Sequence, residues 1–591
     1  MTPAAILALL RNVVRVSLLV SIICTIHLYL WPIVRGCAFP LPPSAANGDD
    51  SAAFQETWRQ HTSGPTGVSA PFRLLTLGDP QLEGDTSIAN YGHSAFHHAA
   101  WAWRHLTYQT EQPSLRKRIR QVVHDLIDVF FDDIPDTLES IRKHIDLFGN
   151  DFYLAHIYRL LMWWTKPTHV TVLGDLLGSQ WIEDAEFEKR SRRFWNRSFK
   201  GGERVPDDIA AYPADDYNVS GILGRNDSEA ELWSRRIINV VGNHDIGYAG
   251  DLTTERLERF ERAFGKSAYE LRFELPIDDP VTNATMFDPD TNPSSDRLLP
   301  ELRIVNLNNM NLDTPALEQK LQDDTYAFIN AVIQTSTAVE FKGHFTIVLT
   351  HMPLYKSEGI CVDAPFFAFH EDGGGVKEQN QLSYDASRGM LEGIYGLNGD
   401  KAAAAGGRGR PGIVINGHDH EGCDIYHYIN QTREGEDRKW EVTQWKNATR
   451  DRLPGQAMLP GMREITVRSM MADFGGNAGL LSLWFDEDTW EWKYEFANCA
   501  LGRQYYWWFV HVFDLILILV LVAYAGLQSA IASGFDAEKW IQHNLLSDPG
   551  QNRDTKKSEQ VRNGVTRKPK QVSNGSVPIK GDMTNGDVKK I

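Results

Sequence analysis

Five short stretches of this chain share one design, an apolar strand-like run that stops at a burst of residues able to bind metal. They are FRLLTLGDPQ (72–81), HVTVLGDLLG (169–178), IINVVGNHDIGY (237–248), FTIVLTHMP (345–353) and GIVINGHDH (412–420). Short runs rich in Val, Ile and Leu that end at glycine read as buried strands. Strand ends then deliver Asp79, Gln81, Asp175, Asn243, His244, Asp245, His351, His418 and His420 to one region. Carboxylates, carboxamides and imidazoles gathered on rigid strand ends are the ligands of a two-metal site, in which ions ~3.5–4 Å apart clamp a phosphate ester from both sides. Oxygen ligands favour a hard or borderline ion, with Mn²⁺ first, while the imidazoles also admit Zn²⁺ or Fe.

The elements that must position these residues occupy most of the 591-residue chain, which has room for one large catalytic domain with insertions or for two domains. The formal charge of −17 argues against nucleic acid as a partner, since a binder needs a basic face to displace counterions. That charge is uneven. From residue 548 onward there are ten Lys or Arg against five Asp or Glu, so the tail is +5 and the rest is −22.

Two apolar segments frame the five stretches. Residues 16–34 form an uncharged 19-residue run after Arg11 and Arg15, close to the ~20 residues of a spanning helix. Residues 505–530 open on YYWW, suited to a bilayer boundary, and have an unbroken apolar centre at 515–527, with His511 and Asp514 before it. The first segment is read as an uncleaved signal anchor, with a cleaved signal peptide as the alternative. Cationic flanks place both ends in the cytosol and the region between them in a lumen. Six Asn-x-Ser/Thr sequons, at Asn196, Asn218, Asn226, Asn283, Asn430 and Asn447, all fall in that region and predict a glycoprotein. Four of the five cysteines lie there too, enough for one or two disulfides of unassigned pairing.

In chain order the expectation is a cytosolic N-terminus (1–15), a transmembrane helix (16–34), a lumenal linker (35–71) and a lumenal catalytic domain (72–500). The second transmembrane helix (505–530) and a largely disordered, basic cytosolic tail (531–591) follow. A surface insertion is expected over about 183–234. Residues 114–164 carry apolar residues such as Ile119, Val122, Val123, Leu126, Ile127 and Phe130 at helical spacing. The Trp, His and Tyr residues around that region, His97 and His98 included, read as packing rather than chemistry.

The ordered set GDPQ, GDLLG, GNHD, TH and GHDH resembles the calcineurin-like metallophosphoesterase superfamily, whose pattern runs D-x-H, GD, GNH[DE], H, GHxH. The resemblance implies an α/β fold, a β-sandwich flanked by helices with two metals at the strand ends. It implies that Asp79, Gln81, Asp175 and His420 hold the first metal, and that Asp175 bridges to a second held by Asn243, His351 and His418. His244 would be the acid for the leaving oxygen and Asp245 its orienter. Gln81 departs from the family, which usually has His there; a neutral carboxamide should hold its metal less tightly.

With DPQ in the first motif, GHDHEGCD in the last and a membrane helix at each end, the chain further resembles the fungal cell-division-control and post-GPI-attachment remodelling branch. That resemblance implies an endoplasmic reticulum membrane protein, resident or cycling to the Golgi. It would use Mn²⁺ to remove ethanolamine-phosphate side branches from GPI-anchor mannoses, the second mannose favoured. The GPI glycolipid or a GPI-anchored protein would be the substrate, and the tail could meet coat or cargo-receptor proteins. Two alternatives stay open: a lumenal phosphodiesterase or phosphatase for another lipid headgroup or a nucleotide, and a non-catalytic membrane cargo-sorting protein.

Overall fold

Each of the five apolar runs forms a strand in the computed structural model, which describes residues 3–43, 51–64, 68–84, 96–214, 217–224, 227–277, 297–435, 438–471 and 475–544. Three of these strands, β1 (Phe72–Leu77), β2 (His169–Leu173) and β5 (Arg236–Val240), are parallel neighbours in a six-stranded sheet. Its order is β16-β15-β1-β2-β5-β3, with β3 (Glu203–Arg204), β15 (Gly476–Asp486) and β16 (Glu491–Gly502). The other two, β8 (Lys342–Leu349) and β11 (Gly412–Asn416), are parallel neighbours in an eight-stranded sheet.

The order of the second sheet is β13-β12-β14-β11-β8-β7-β6-β4. It adds β4 (Gly221–Ile222), β6 (Tyr269–Glu274), β7 (Arg297–Asn306), β12 (Cys423–Ile429), β13 (Trp440–Gln444) and β14 (Gly461–Thr466). A separate ribbon pairs β9 (Phe367–Phe369) with β10 (Val376–Gln379). Because Leu77 pairs with Val172, Leu173 with Val240 and Leu349 with Ile415, the residues that follow each strand emerge level with one another.

The two sheets are joined through one apolar cluster that includes Leu74, Ile238, Ile304, Ile347, Ile415 and Leu481, all fully buried. On its other face the six-stranded sheet offers Leu75, Leu77, Val170 and Val172 to Tyr153, Ile157, Leu161 and Trp164 of the long helix Ile134–Thr165. Alternation sends one set of side chains to each face of a strand, so strands buried on both faces read as continuous apolar runs. The architecture is the expected α/β sandwich of two sheets flanked by helices.

Two segments contribute more than their composition suggested. The linker segment carries a helix, Ala52–Thr62, whose Phe54 and His61 rings pack on Trp164, and its Cys37 and Phe39 are buried. The 183–234 segment supplies an edge strand to each sheet and buries Phe187, Phe194 and Phe199. Disulfides Cys37–Cys499 and Cys361–Cys423 use all four cysteines outside the first apolar segment. The first of them ties the chain just after that segment to β16, where the Trp31 indole also donates to the Ala500 carbonyl (2.9 Å).

Two helices, Ala5–Tyr29 and Gln504–Ala532, are long and apolar enough to cross a membrane, with mean hydropathies of 2.1 and 2.4, and little of either is buried. This matches the membrane character read from the sequence. Contacts divide the chain into residues 23–512, which carry both sheets, and a unit of residues 1–22 with 513–591, in which the Ser21 hydroxyl donates to Asp514. Most of the basic tail, from residue 545, lies outside the described residues, as do Asn226 and Asn283.

Candidate metal centre

The five strand ends meet, and they do so through unusual backbone. Asp79, Gln81, Asp175 and His418 all have positive φ, between 42° and 71°. That region is sterically unfavourable for residues with a Cβ and persists where the surroundings over-determine it, as at functional sites. Two glycines permit the close approach. A Cβ on Gly242 would lie 2.3 Å from the Asp175 carboxylate, and one on Gly174, itself at φ +92°, would lie 2.3 Å from the His351 ring.

Asn243 Oδ1, His351 Nε2 and His418 Nδ1 lie within 3.3 Å of one another, with Asp175 Oδ1 3.3 Å from the same His351 nitrogen. The far nitrogens fix what these atoms are. His351 Nδ1 donates to the Leu173 carbonyl (2.7 Å) and His418 Nε2 to the Gln379 carbonyl (3.1 Å), so in a neutral ring the inward nitrogen is left with a lone pair. Burial holds both imidazoles below their ordinary pKa; His418, which also faces His351, is pushed down to about 3. Four electron-rich atoms therefore face one point with no proton among them. A cation at that point would relieve their mutual repulsion.

The second group is Asp79, Asp175 and His420, whose ligand atoms come within 4.8 Å of one another. Asp79 is fully buried; its Oδ1 accepts from the His418 backbone N–H (3.1 Å) while Oδ2 has no hydrogen-bond partner. Burial and the neighbouring Asp175 push the Asp79 carboxyl well up. Burial also opposes ionisation of Asp175, but the polar groups around it, the donating backbone N–H of His244 among them, hold its carboxyl below the usual carboxylate range. Asp175 belongs to both groups, as a bridging carboxylate must. Gln81 sits beside them: its amide nitrogen donates to Asp175 Oδ2 (3.1 Å) and lies 3.2 Å from His420 Nε2. An orphaned buried carboxylate oxygen and converging lone pairs fit a pair of divalent ions.

His244 stands at the open side. Its backbone N–H donates to Asp175 Oδ1 (2.9 Å), and its half-exposed ring reaches to 3.8 Å from Asp175 Oδ2. Asp245 is fully buried and accepts from the backbone amides of Gly242, Leu176 and Leu177 at 3.0–3.2 Å. Those bonds lock the GNHD turn to the GDLL turn. The resemblance implied that Asp245 orients His244, and the hydrogen bonds of its carboxylate run to the backbone of the turn beneath that residue.

No family model matches the chain. Protein TED1 of Saccharomyces cerevisiae is 33% identical over 416 residues, covering 64% of this chain and 77% of TED1. The chain belongs to the metallophosphoesterases, in the branch of TED1. Metallophosphoesterase 1 of Danio rerio is 22% identical over 314 residues, 51% of this chain and 65% of that protein. An uncharacterized Schizosaccharomyces pombe protein is 26% identical over 348 residues, 57% of this chain and 63% of that one. Family membership makes the chain a metal-dependent phosphoesterase, and the paired ligand groups are what such an enzyme requires.

The metallophosphoesterase centre has supports that sequence reading did not single out. Asn309 makes two hydrogen bonds with the backbone of Met352, fixing the residue after His351. The Ser469 hydroxyl donates to the Asp79 carbonyl. Beneath the GHDH loop, Glu464 accepts from Asn416 and His427, and buried Lys356 lies 3.6 Å from buried Asp419. The Asn run NLNNMN (306–311) was a visible signal for one of these. Lys356 and Glu464 carried none.

Proposed function

We propose that this metallophosphoesterase is a membrane-held phosphodiesterase of the early secretory pathway that removes an ethanolamine-phosphate side branch from a GPI-anchor mannose, the second mannose favoured. The observation that carries the reading is the pair of ligand groups sharing Asp175, with His244 at their open side, in a chain with an apolar helix near each end. Asp79, Gln81, Asp175 and His420 would hold one Mn²⁺, and Asp175, Asn243, His351 and His418 the other. When bound, the ions supply charge stabilisation for the phosphate and a water acidic enough to attack near neutral pH.

The chain's own residues do the rest. The water gives up one proton to solvent as its oxygen bonds to phosphorus, the bond from phosphorus to the mannose oxygen breaks, and the proton on His244 passes to that oxygen, His244 then regaining a proton from solvent. The products are phosphoethanolamine and the free mannose hydroxyl. Asp245 keeps His244 in reach by fixing the turn below it. The substrate class rests on the DPQ and GHDHEGCD motifs together with the membrane architecture: a glycolipid headgroup lies where a domain anchored at both ends by residues 16–34 and 505–530 would meet it. Two disulfides, and exposed sequon residues at Asn196 and Asn218, support a lumenal position for residues 72–500 in the endoplasmic reticulum.

The test is mass spectrometry of GPI glycans from cells lacking the protein, complemented with wild type or His244→Ala. Ethanolamine phosphate should persist without the protein and with the variant, and disappear with wild type. Unaltered glycans in the deletion would overturn the substrate and leave another lipid headgroup or a nucleotide. Full rescue by His244→Ala would overturn the mechanism and favour the non-catalytic, cargo-sorting reading, for which Gln81 speaks.

A further inference from the structure

Between β1 and β2 the chain forms three helices, His97–Leu106, Leu115–Asp128 and Ile134–Thr165, the last two joined by a π-helical turn, Val129–Asp133. The second helix is inside out. It buries Arg118, Val122 and Asp125 and exposes Leu115, Ile119, Val123, Leu126 and Ile127. At 100° per residue the exposed set fills a single arc of about 120°, with Arg116 and Arg120 along one edge. The turn that follows exposes Phe130 and Phe131 at 68% and 75%, and the third helix continues the surface with Leu138, Ile141, Ile145 and Phe148.

The interior of this insertion is correspondingly polar. Arg118 donates to the carbonyls of His105 (2.7 Å) and Thr110 (2.9 Å), and Asp125 accepts from Gln121 and lies 3.5 Å from His105. Single exposed apolar residues are ordinary on a protein in water, but a continuous apolar exterior over a hydrogen-bonded polar interior is not.

The position of the insertion identifies what covers it. The third helix is clamped to the root of the C-terminal apolar helix: Gly149 approaches the Trp508 indole so closely that a Cβ would collide, Gln504 bonds Asn150, and the Tyr153 hydroxyl donates to the Gly502 carbonyl (3.4 Å). That root is the Tyr505–Trp508 aromatic cluster, the composition of a membrane–water boundary. We propose that the helical insertion 97–165 is a membrane-seating device, with its outward face embedded in the leaflet on the catalytic domain's side. Arg116 and Arg120 then lie at the edge of that face, at the depth of lipid phosphates, as in helices that lie in the plane of an interface. The inference rests on membrane insertion of the two apolar helices and is independent of the substrate.

The test uses the full-length chain in palmitoyl-oleoyl phosphatidylcholine vesicles, in a Cys24→Ser background. A nitroxide is attached at Ile127→Cys, Phe131→Cys or Ile141→Cys, with Glu188→Cys as a control on an exposed polar helix. Collision rates with oxygen, which concentrates in lipid, and with a nickel chelate, which stays in water, are compared. At the three insertion positions the oxygen-to-nickel ratio should exceed that at residue 188 by about threefold or more. A ratio like that of residue 188 would overturn the proposal in favour of a water-facing surface. Low collision with both reagents would also overturn it, in favour of a protein partner, or of a second copy if dilution in lipid restored access. None of these readouts needs catalysis, so loss of the proposed activity would leave the result intact.

Discussion

Among the described residues, histidines and aspartates close enough to hold a metal ion gather in two places, the strand ends and the helical insertion, and their hydrogen bonding sets the two apart. At the strand ends, His351 and His418 give their outer N–H groups to backbone carbonyls and turn lone pairs toward Asn243 and Asp175, while Asp79 keeps an unpartnered oxygen. In the helical insertion, buried Asp133 lies within reach of His97, His98 and Ala99. His98 Nδ1 is 2.8 Å and His97 Nδ1 3.1 Å from one oxygen, and the backbone amides of His98 and Ala99 donate to the other. That carboxylate is saturated by the start of a helix it caps. Residue types are alike in the two places; a metal centre needs acceptors that converge on a point with their protons directed elsewhere.

The sharpest test of the contrast is a pair of substitutions. His351→Ala should lose divalent metal from the full-length enzyme and at least about 10³-fold in hydrolysis of a soluble phosphodiester, since a ligand shared with Asp175 is gone. His98→Ala should leave metal content and activity unchanged and lower unfolding stability by about 1–2 kcal/mol, the cost of removing a partner from a buried carboxylate. Elemental analysis and a soluble-substrate assay read both. If His98→Ala also released metal in proportion, the distinction between the clusters would be lost.

The same opposition holds for apolar residues. Ile347 is fully buried between the sheets, whereas half of Ile127 is exposed on the insertion. Ile347→Ala should therefore cost about 3 kcal/mol, from lost burial and the cavity left behind. Ile127→Ala should stay within about 0.5 kcal/mol in detergent. Denaturant unfolding of the detergent-solubilised chain, followed by tryptophan fluorescence, measures the two. Equal costs would mean that the insertion's apolar face is packed against protein.

How far these differences were legible depends on where the partners lie. The five ligand blocks were readable because each joins an apolar strand to its ligands within ten or twelve residues, and all nine residues singled out there stand together at the strand ends. Helical spacing over 114–164 was equally plain, and the helices are there. Periodicity gives an apolar arc but not the direction it faces, so the helical spacing of Ile119 and Ile127 did not reveal that they stand outward. The environment of Asp245 was hidden for another reason. Its acceptors meet backbone amides of Leu176 and Leu177, 69 and 68 residues away, and a backbone N–H leaves no mark in a sequence.

Gln81 offers the finest adjustment of the comparison, because it is the one position among the ligands where the strand-end cluster resembles the saturated one. Its amide nitrogen donates to Asp175 and crowds His420, so a donor occupies space that a lone pair would fill in the family pattern. Turning the amide would present its oxygen, but a neutral carboxamide oxygen binds a divalent ion more weakly than imidazole does. Gln81→His should then hold metal about tenfold more tightly, seen as slower loss of bound Mn²⁺ to a chelator, with affinity changes of that order typical of groups next to a metal. The positive φ of 42° at this residue is tolerated by histidine no worse than by glutamine, as His418 at 71° illustrates, so the backbone should accept the exchange. Unchanged retention would mean that residue 81 points away from the first metal, and that Asp79, Asp175 and His420 hold it alone.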